Sequence, residues 1–243
     1  MAAGLALAAD GADWLDVGGE STRPDSVPVP EAEEIARVAP VIRALSARLA
    51  ATVRVSVDTY KAATARAALA AGATAVNDVS GGLLDPEILR VAAAGQAAMV
   101  VGHLRGQPAD MMAHVHFDNV VDEVSSELAN RVAAARAAGC GEVWADPGIG
   151  FGKNLPHNLR LLKHLARVRA HLGVPIMVGV SRKRFIGDLT GKPTTERVFG
   201  TAAAVAVAIM NGADAVRVHD VLAMRDVVRV VEAIAGADQL VLE

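Results

Sequence analysis

Arg23, Lys183, Arg217 and His219 are groups able to carry positive charge, and they follow short β-branched runs of this 243-residue chain. Burying such groups together without anions is costly, so gathering them makes a site for phosphate or carboxylate. Asp58, Asn77 and Asp146 form a second, acceptor-rich set. An ionised carboxylate accepts two parallel hydrogen bonds, and an amide both donates and accepts. That set suits a heterocycle with a guanidine-like edge, such as a pterin or guanine. Together the two sets read as a receptor for a small planar nitrogen heterocycle carrying a phosphate. In "AVRVHDV" (215–221), Arg217 and His219 alternate with valines, so on a strand both point to one face.

Other polar residues admit plainer readings. Asp16, Asp78 and Asp220 can equally be structural, capping a helix or pairing with an arginine. His103 on its own reads as a hydrogen-bonded scaffold residue, and Lys61 and Lys153 as solvated charges. His114 and His116 are poorly spaced for a metal on one helix face. His157, His164 and His171 recur among leucines and read as a surface stripe. "GIGFGK" lacks the G-x-x-x-x-G-K-[ST] pattern of a phosphate loop.

The elements that carry these residues follow a repeated grammar. "AADGADWLDVGG", "AAGATAVNDVSGG", "AAGCGEVWADPG" and "NGADAVRVHDV" each run from an alanine-rich helical tail through a glycine to a β-branched stretch and a polar residue. The glycine suits the C′ position of a helix. Further strands are expected near 53–59, 97–103 and 174–181. Amphipathic helices are expected at 118–138 and from Pro30, where Glu31, Glu33 and Glu34 favour a first turn. Strands alternating with helices imply a parallel sheet. A Rossmann sheet would want G-x-G-x-x-G after its first strand, and none is present. Polar residues at nearly every strand's carboxyl end fit a (β/α)₈ TIM barrel, whose active site sits at that mouth. Seven strands are identifiable rather than eight, and "MAAGLALAADGA" already reads as a helix. The expectation is therefore a single α/β domain over residues 1–243, lacking the first strand, with strands near 14–18 and 215–219 left with unpaired edges.

Composition narrows the function. A net charge of −3 gives no reason to expect a nucleic-acid or membrane surface. No apolar run approaches the ~20 residues that span a bilayer. The single cysteine, Cys140, excludes an intrachain disulfide, implies a reducing cytoplasm and reads as a small buried thiol. With aromatics at only 3%, aliphatic residues and alanine must fill the core.

At these residues the chain resembles the dihydropteroate synthases. The motifs that carry the resemblance are "DVGGESTRP" (16–24), "VSVDTYK" (55–61), "AVNDVSGG" (75–82), "DPGIGFGK" (146–153), "VGVSRKRFIG" (178–187), "GTAAAVAVAIMNGA" (200–213) and "VRVHDV" (216–221). The resemblance implies a TIM barrel, a homodimer, and condensation of p-aminobenzoate with 6-hydroxymethyl-7,8-dihydropterin diphosphate, with Mg²⁺ as cofactor. Carried over by position, Asp58, Asn77, Asp146 and Lys183 would hold the pterin. Arg217 would lie against it and, with His219, Thr22 and Arg23, meet the diphosphate. Thr22, Arg23, Phe151, Lys183 and Arg184 would border p-aminobenzoate, and Asp58, Lys183 and Arg217 would act in the reaction. Two departures stand out. The family's N-terminal strand and loop, whose asparagine serves the Mg²⁺ site, has no counterpart here, and Asp25 stands where glycine is usual. An inactive pterin-binding paralogue or fragment, and a corrinoid methyltransferase pterin domain, are the alternative readings.

Overall fold

The computed structural model describes residues 1–23 and 26–237. Among the described residues seven parallel strands alternate with helices: β1 (Trp14–Gly18), β2 (Arg54–Asp58), β3 (Ala75–Asp78), β4 (Ala98–Gly102), β5 (Val143–Asp146), β6 (Met177–Gly179) and β7 (Ala215–Arg217). The helices are α1 (Ala2–Ala9), α2 (Glu31–Ser46), α3 (Ala62–Ala70), α4 (Glu87–Ala94), α5 (Val120–Ala137), α6 (Leu155–Lys163), α7 (Leu165–Leu172), α8 (Arg184–Thr190), α9 (Val198–Met210) and α10 (Val221–Ala235).

The repeated grammar has a backbone cause. Gly11, Gly72, Gly139 and Gly212 all take positive φ, from 92° to 109°. The amide after each reaches back across the last helical turn: Ala12 to the Leu7 carbonyl at 3.0 Å, Ala73 to Ala68 at 3.0 Å, Cys140 to Ala135 at 3.1 Å and Ala213 to Ala208 at 2.9 Å. This is the Schellman closure, and it turns each chain directly into the next strand. After α4 the same turn is made by Gln96 at φ 51°, with Ala97 donating to the Ala92 carbonyl at 3.0 Å.

Strands β1 to β5 form one ladder in sequence order, and β6 pairs with β7. A bridge between Ala145 and Ile176 joins the two groups. Among the described residues no ladder joins β1 to β7, as the two unpaired edges expected from the sequence require. Strand ends are shorter than the pattern implied: β7 stops at Arg217, so His219 lies beyond it.

One hydrophobic core joins strands and helices, with Val57, Val76, Met99, Val101 and Val178 buried in the sheet. Helix α5 shows how sequence places a helix on that sheet. The Asn119 side chain accepts from the Val121 and Asp122 amides, and Val120, Val124, Leu128 and Val132 bury one stripe. At the amino ends of the strands, Trp14 and Trp144 meet edge to face, with ring centroids 5.8 Å apart. No helix among the described residues is long and apolar enough to cross a membrane.

Candidate active site

Register brings the polar strand ends level. Gly18 of β1 stands beside Asp58 of β2, Asp58 beside Asn77 of β3, Gly102 of β4 beside Asp146 of β5, and Gly179 of β6 beside Arg217 of β7. Residues level across a parallel ladder present side chains to the same face. Asp58, Asn77, Asp146 and Arg217 accordingly line one cleft, joined by Thr22, Phe151 and Lys183 from the loops. The enclosed free space between these side chains is small, about 30 Å³, and the cleft opens to solvent above it.

The two charge sets expected to be separate are interlocked. Arg217 donates from Nε to Asp16 Oδ2 at 2.7 Å and from Nη2 to Asp58 Oδ2 at 2.8 Å. Asn77 Nδ2 donates to the same Asp16 oxygen at 2.8 Å, and Ser56 Oγ donates to Asp16 Oδ1 at 2.5 Å. Burial and the neighbouring Asp16 carboxylate push the Asp58 carboxyl upward, and Arg217 opposes that. Asp16 and Asp58 in turn hold Arg217 firmly in its charged form. Asp16 is the residue that sequence reasoning undervalued. Its position in "DVGGESTRP" marked it, yet an acid on a strand has a structural reading, and only the contacts separate the two.

Beside them, Asp146 Oδ1 accepts the Gly148 amide at 2.7 Å, and burial raises this carboxyl. Lys183 donates to the Ile149 carbonyl at 2.7 Å, and its ammonium lies 4.1 Å from the Phe151 ring centroid. Burial, with Arg217 nearby, lowers the Lys183 ammonium to about 8, although Asp146 and Asp58 favour its charge.

The remaining candidates lie outside the cleft lining. His219 sits on the next loop, where its backbone amide donates to Ser181 Oγ at 3.1 Å and its Nδ1 lies 2.9 Å from the same oxygen. If the hydroxyl that accepts the amide gives its own proton to Nδ1, the ring keeps Nε2–H for another acceptor. Burial and the Arg182 and Arg217 charges lower the His219 imidazole. The two loops are locked together by Arg182, which takes φ 56° and donates from Nε to Asp220 Oδ2 at 3.0 Å. Arg184 is exposed at the first turn of α8, with its nearest acid, Asp188, at 3.7 Å. Arg23 is exposed, its amide 3.4 Å from Ser21 Oγ. Asp25 lies outside the described residues.

Several plainer readings change. Lys61 is not a solvated charge: it donates to Glu20 Oε2 at 2.6 Å, Glu34 Oε2 at 2.7 Å and the Val29 carbonyl at 2.6 Å, fixing the base of the loop that bears Thr22. Lys153 is buried, at 4% exposure, against His103. His157 is buried too, with Nδ1 unpartnered among the described residues, and so leaves the expected surface stripe. Asp78 is structural: it accepts Ser80 N at 2.7 Å, Ser80 Oγ at 2.8 Å and Gly82 N at 2.6 Å, closing its own turn. Cys140 is a buried free thiol.

Acids and amides at the mouth of a parallel barrel, around a narrow cleft, define a class, and a family model described as pterin binding enzyme matches residues 1–219. The curated dihydropteroate synthase of Synechocystis is 42% identical over 227 residues, covering 92% of this chain and 78% of its own. That of Mycobacterium leprae is 43% identical over 239 residues, covering 95% and 83%. Among solved structures, Xanthomonas albilineans dihydropteroate synthase with 4-aminobenzoic acid superposes with a TM-score of 0.89 at 45% identity, over 96% of this chain and 83% of that one. The Yersinia pestis enzyme in a sulfonamide complex gives 0.92 at 38% identity, over 97% and 85%. The chain belongs to the dihydropteroate synthase family, and its fold is that family's TIM barrel.

Proposed function

We propose that this chain, acting as a single domain, condenses 6-hydroxymethyl-7,8-dihydropterin diphosphate with p-aminobenzoate to give dihydropteroate and pyrophosphate. The observation that carries this reading is the convergence on one cleft of Asp58, Asn77, Asp146 and Arg217 from separate strand ends and Lys183 from a loop. Asn77 and Asp146 suit the amino-pyrimidine edge, where an amide and a carboxylate meet alternating donors and acceptors. As the bicyclic ring enters, Arg217 leaves Asp16 and Asp58 to lie against it. His219, donating from Nε2, then meets the diphosphate with Arg217 and Arg23. Phe151, Lys183, Thr22 and Arg184 border the aminobenzoate.

In the reaction the bond between the methylene carbon and the diphosphate oxygen breaks, with both electrons leaving on oxygen. The arylamine nitrogen forms the new bond to that carbon, and its surplus proton passes to solvent or to the departing diphosphate. A neutral arylamine needs no strong base, which agrees with a site built from cations and acceptors. The pterin ring spreads the positive charge that develops at the methylene, and Asp58 is the carboxylate assigned to stabilise that charge. The cations gathered around the leaving oxygen supply the main electrostatic assistance.

Mg²⁺ is implied by the family resemblance, and the described residues, as arranged here, offer no ready-made site for a resident ion. No three His, Cys, Asp or Glu side chains among them are grouped to hold one. Mg²⁺ usually takes one or two carboxylates plus phosphate oxygens; Asp16 and Asp58 are paired with Arg217 here and would become available to it once Arg217 turns to the ligand. A homodimer is supported by apolar side chains exposed on neighbouring helices, Phe199, Val207 and Met210 of α9 with Leu222, Val230 and Ile234 of α10. The unpaired Cys140 thiol agrees with a cytoplasmic setting.

The test is pyrophosphate release in the presence of each substrate alone and both together. Release that depends on both supports the reading. No release at high enzyme concentration rejects it.

A further inference from the structure

Lys153 is a buried cation that the reaction above does not use. Its ammonium lies 3.0 Å from His103 Nδ1, 2.9 Å from the Phe151 carbonyl and 3.3 Å from the His103 carbonyl. Three N–H donors thus meet three acceptors, a ring nitrogen and two carbonyls, none of them a carboxylate. Burial lowers this ammonium to about 7; Asp146 and Glu127 favour its charge, and Arg131 and Lys183 oppose it. A methionine or leucine would fill the same space without that penalty.

The other side of His103 explains the orientation. Its Nε2 lies 3.1 Å from Glu127 Oε2 on α5. Burial, together with the Lys153 charge, lowers this imidazole to about 3, so it is neutral. A neutral ring that donates Nε2–H to a carboxylate presents its Nδ1 lone pair to Lys153. Glu127 is itself fixed by Arg105, whose Nε donates to Oε1 at 3.0 Å. The chain Glu127–His103–Lys153 therefore ends on two segments at once, the end of β4 and the loop after β5. Gly102 and His103 of the first, and Gly148 and Phe151 of the second, all line the cleft.

We propose that Lys153 is a positioning residue: held by His103 and Glu127, it braces the 148–152 loop against β4 and thereby sets the Phe151 wall on which the arylamine substrate seats. This rests on the proposed condensation for the identity of that substrate. The brace itself rests only on the contacts.

The experiment uses the whole chain and the Lys153→Met variant. Methionine keeps the volume and removes a buried charge, so the fold is retained, as circular dichroism and thermal unfolding would check. Steady-state kinetics are expected to show KM for p-aminobenzoate raised about tenfold, with dihydropterin diphosphate KM changed less than threefold. Glu127→Gln is expected to move the same constant in the same direction by less. A second readout does not need turnover. With 4-fluorophenylalanine at the four phenylalanines, the Phe151 resonance, assigned through Phe151→Leu, is expected to shift or broaden in Lys153→Met. An unchanged Phe151 resonance overturns the brace, whatever the activity. Equal rises in both KM values, or an aminobenzoate KM within twofold of the parent, overturn its assignment to the arylamine. Absence of turnover in the parent chain would instead count against the condensation, leaving the fluorine result to decide the brace.

Discussion

Arg217, at the end of the last strand, donates Nε–H to Asp16 Oδ2 on the first strand at 2.7 Å, across an interval of 201 residues. These strands are the two ends of the sheet order, with no ladder between them among the described residues. A side chain therefore makes the link that backbone pairing makes elsewhere. It also shares one positive charge between two carboxylates.

Replacing Arg217 with methionine leaves Asp16 and Asp58 facing each other. Arg217 is 45% exposed at its side chain, so the loss is discounted for screening, to about 1–2 kcal/mol at neutral pH. The sign of its pH dependence follows from linkage. Without the guanidinium, the folded-state pKa of Asp58 rises further above its unfolded value. The variant's folded state then binds more protons than its unfolded state, and its stability falls as pH rises through that window. Urea unfolding at pH 5 and pH 8 is expected to show a larger deficit at pH 8. A deficit equal at both would mean that the carboxylates do not repel.

Lys183 gives an activity profile. Its ammonium, lowered to about 8 by burial, is charged below that pH and neutral above it. If the charge assists substrate binding or pyrophosphate departure, kcat/KM falls as pH rises through about 8, since this ratio reports free-enzyme groups. Lys183→Arg stays charged throughout and is expected to lose that limb while running slower overall. A Lys183→Arg profile with the parent's limb would assign it to another group.

Asp16 is expected to matter for binding without touching ligand. One of its oxygens accepts from both Asn77 and Arg217, the other from Ser56. Asp16→Ala frees the Asn77 amide to rotate and leaves Arg217 with Asp58 alone. The Arg217 bond is given up on binding in any case, so the loss rests on the Asn77 amide; one hydrogen bond to a charged group at about 1.5–3 kcal/mol corresponds to roughly a tenfold or greater loss of dihydropterin affinity. Calorimetric titration measures it, with Asp146→Ala as the variant expected to lose binding outright. Unaltered affinity in Asp16→Ala would return Asp16 to a structural role.

Much of this was readable in the residues. The helix–glycine–strand units were legible because a Schellman turn needs positive φ and glycine supplies it cheaply; the same turn at Gln96 carried no such mark. The strand-end acids and amides were legible because a parallel barrel delivers them to one mouth. Pairings between strands were not. That Arg217 spends its charge on Asp16 and Asp58 depends on side-chain reach across the gap between β7 and β1. Lys153 and Lys61 misled for a related reason. Lysine is usually solvated, and its burial here depends on acceptors from other elements, His103 and Glu20, which no local pattern reveals.

Gly148 and Gly173 separate two costs that a positive-φ glycine conceals. Both are left-handed, at φ 68° and 59°. A Cβ on Gly173 would meet nothing within 4 Å, whereas one on Gly148 would lie 2.1 Å from the His103 carbonyl oxygen. Gly173→Ala therefore carries the backbone term alone, about 1 kcal/mol. Gly148→Ala adds an overlap with backbone that no rotamer relieves, for about 3 kcal/mol or more in total. The overlap has a functional direction as well. Pushing the loop off His103 strains the Gly148 amide's 2.7 Å bond to Asp146 and draws Phe151 from the Lys183 ammonium. Chemical denaturation of both variants, with dihydropterin titration of each, is the measurement. The expected pattern is normal binding in Gly173→Ala and at least a tenfold loss in Gly148→Ala, beyond what its lower stability explains. Equal destabilisation of the two, with binding intact in both, would mean that the loop yields freely and does not set the cleft.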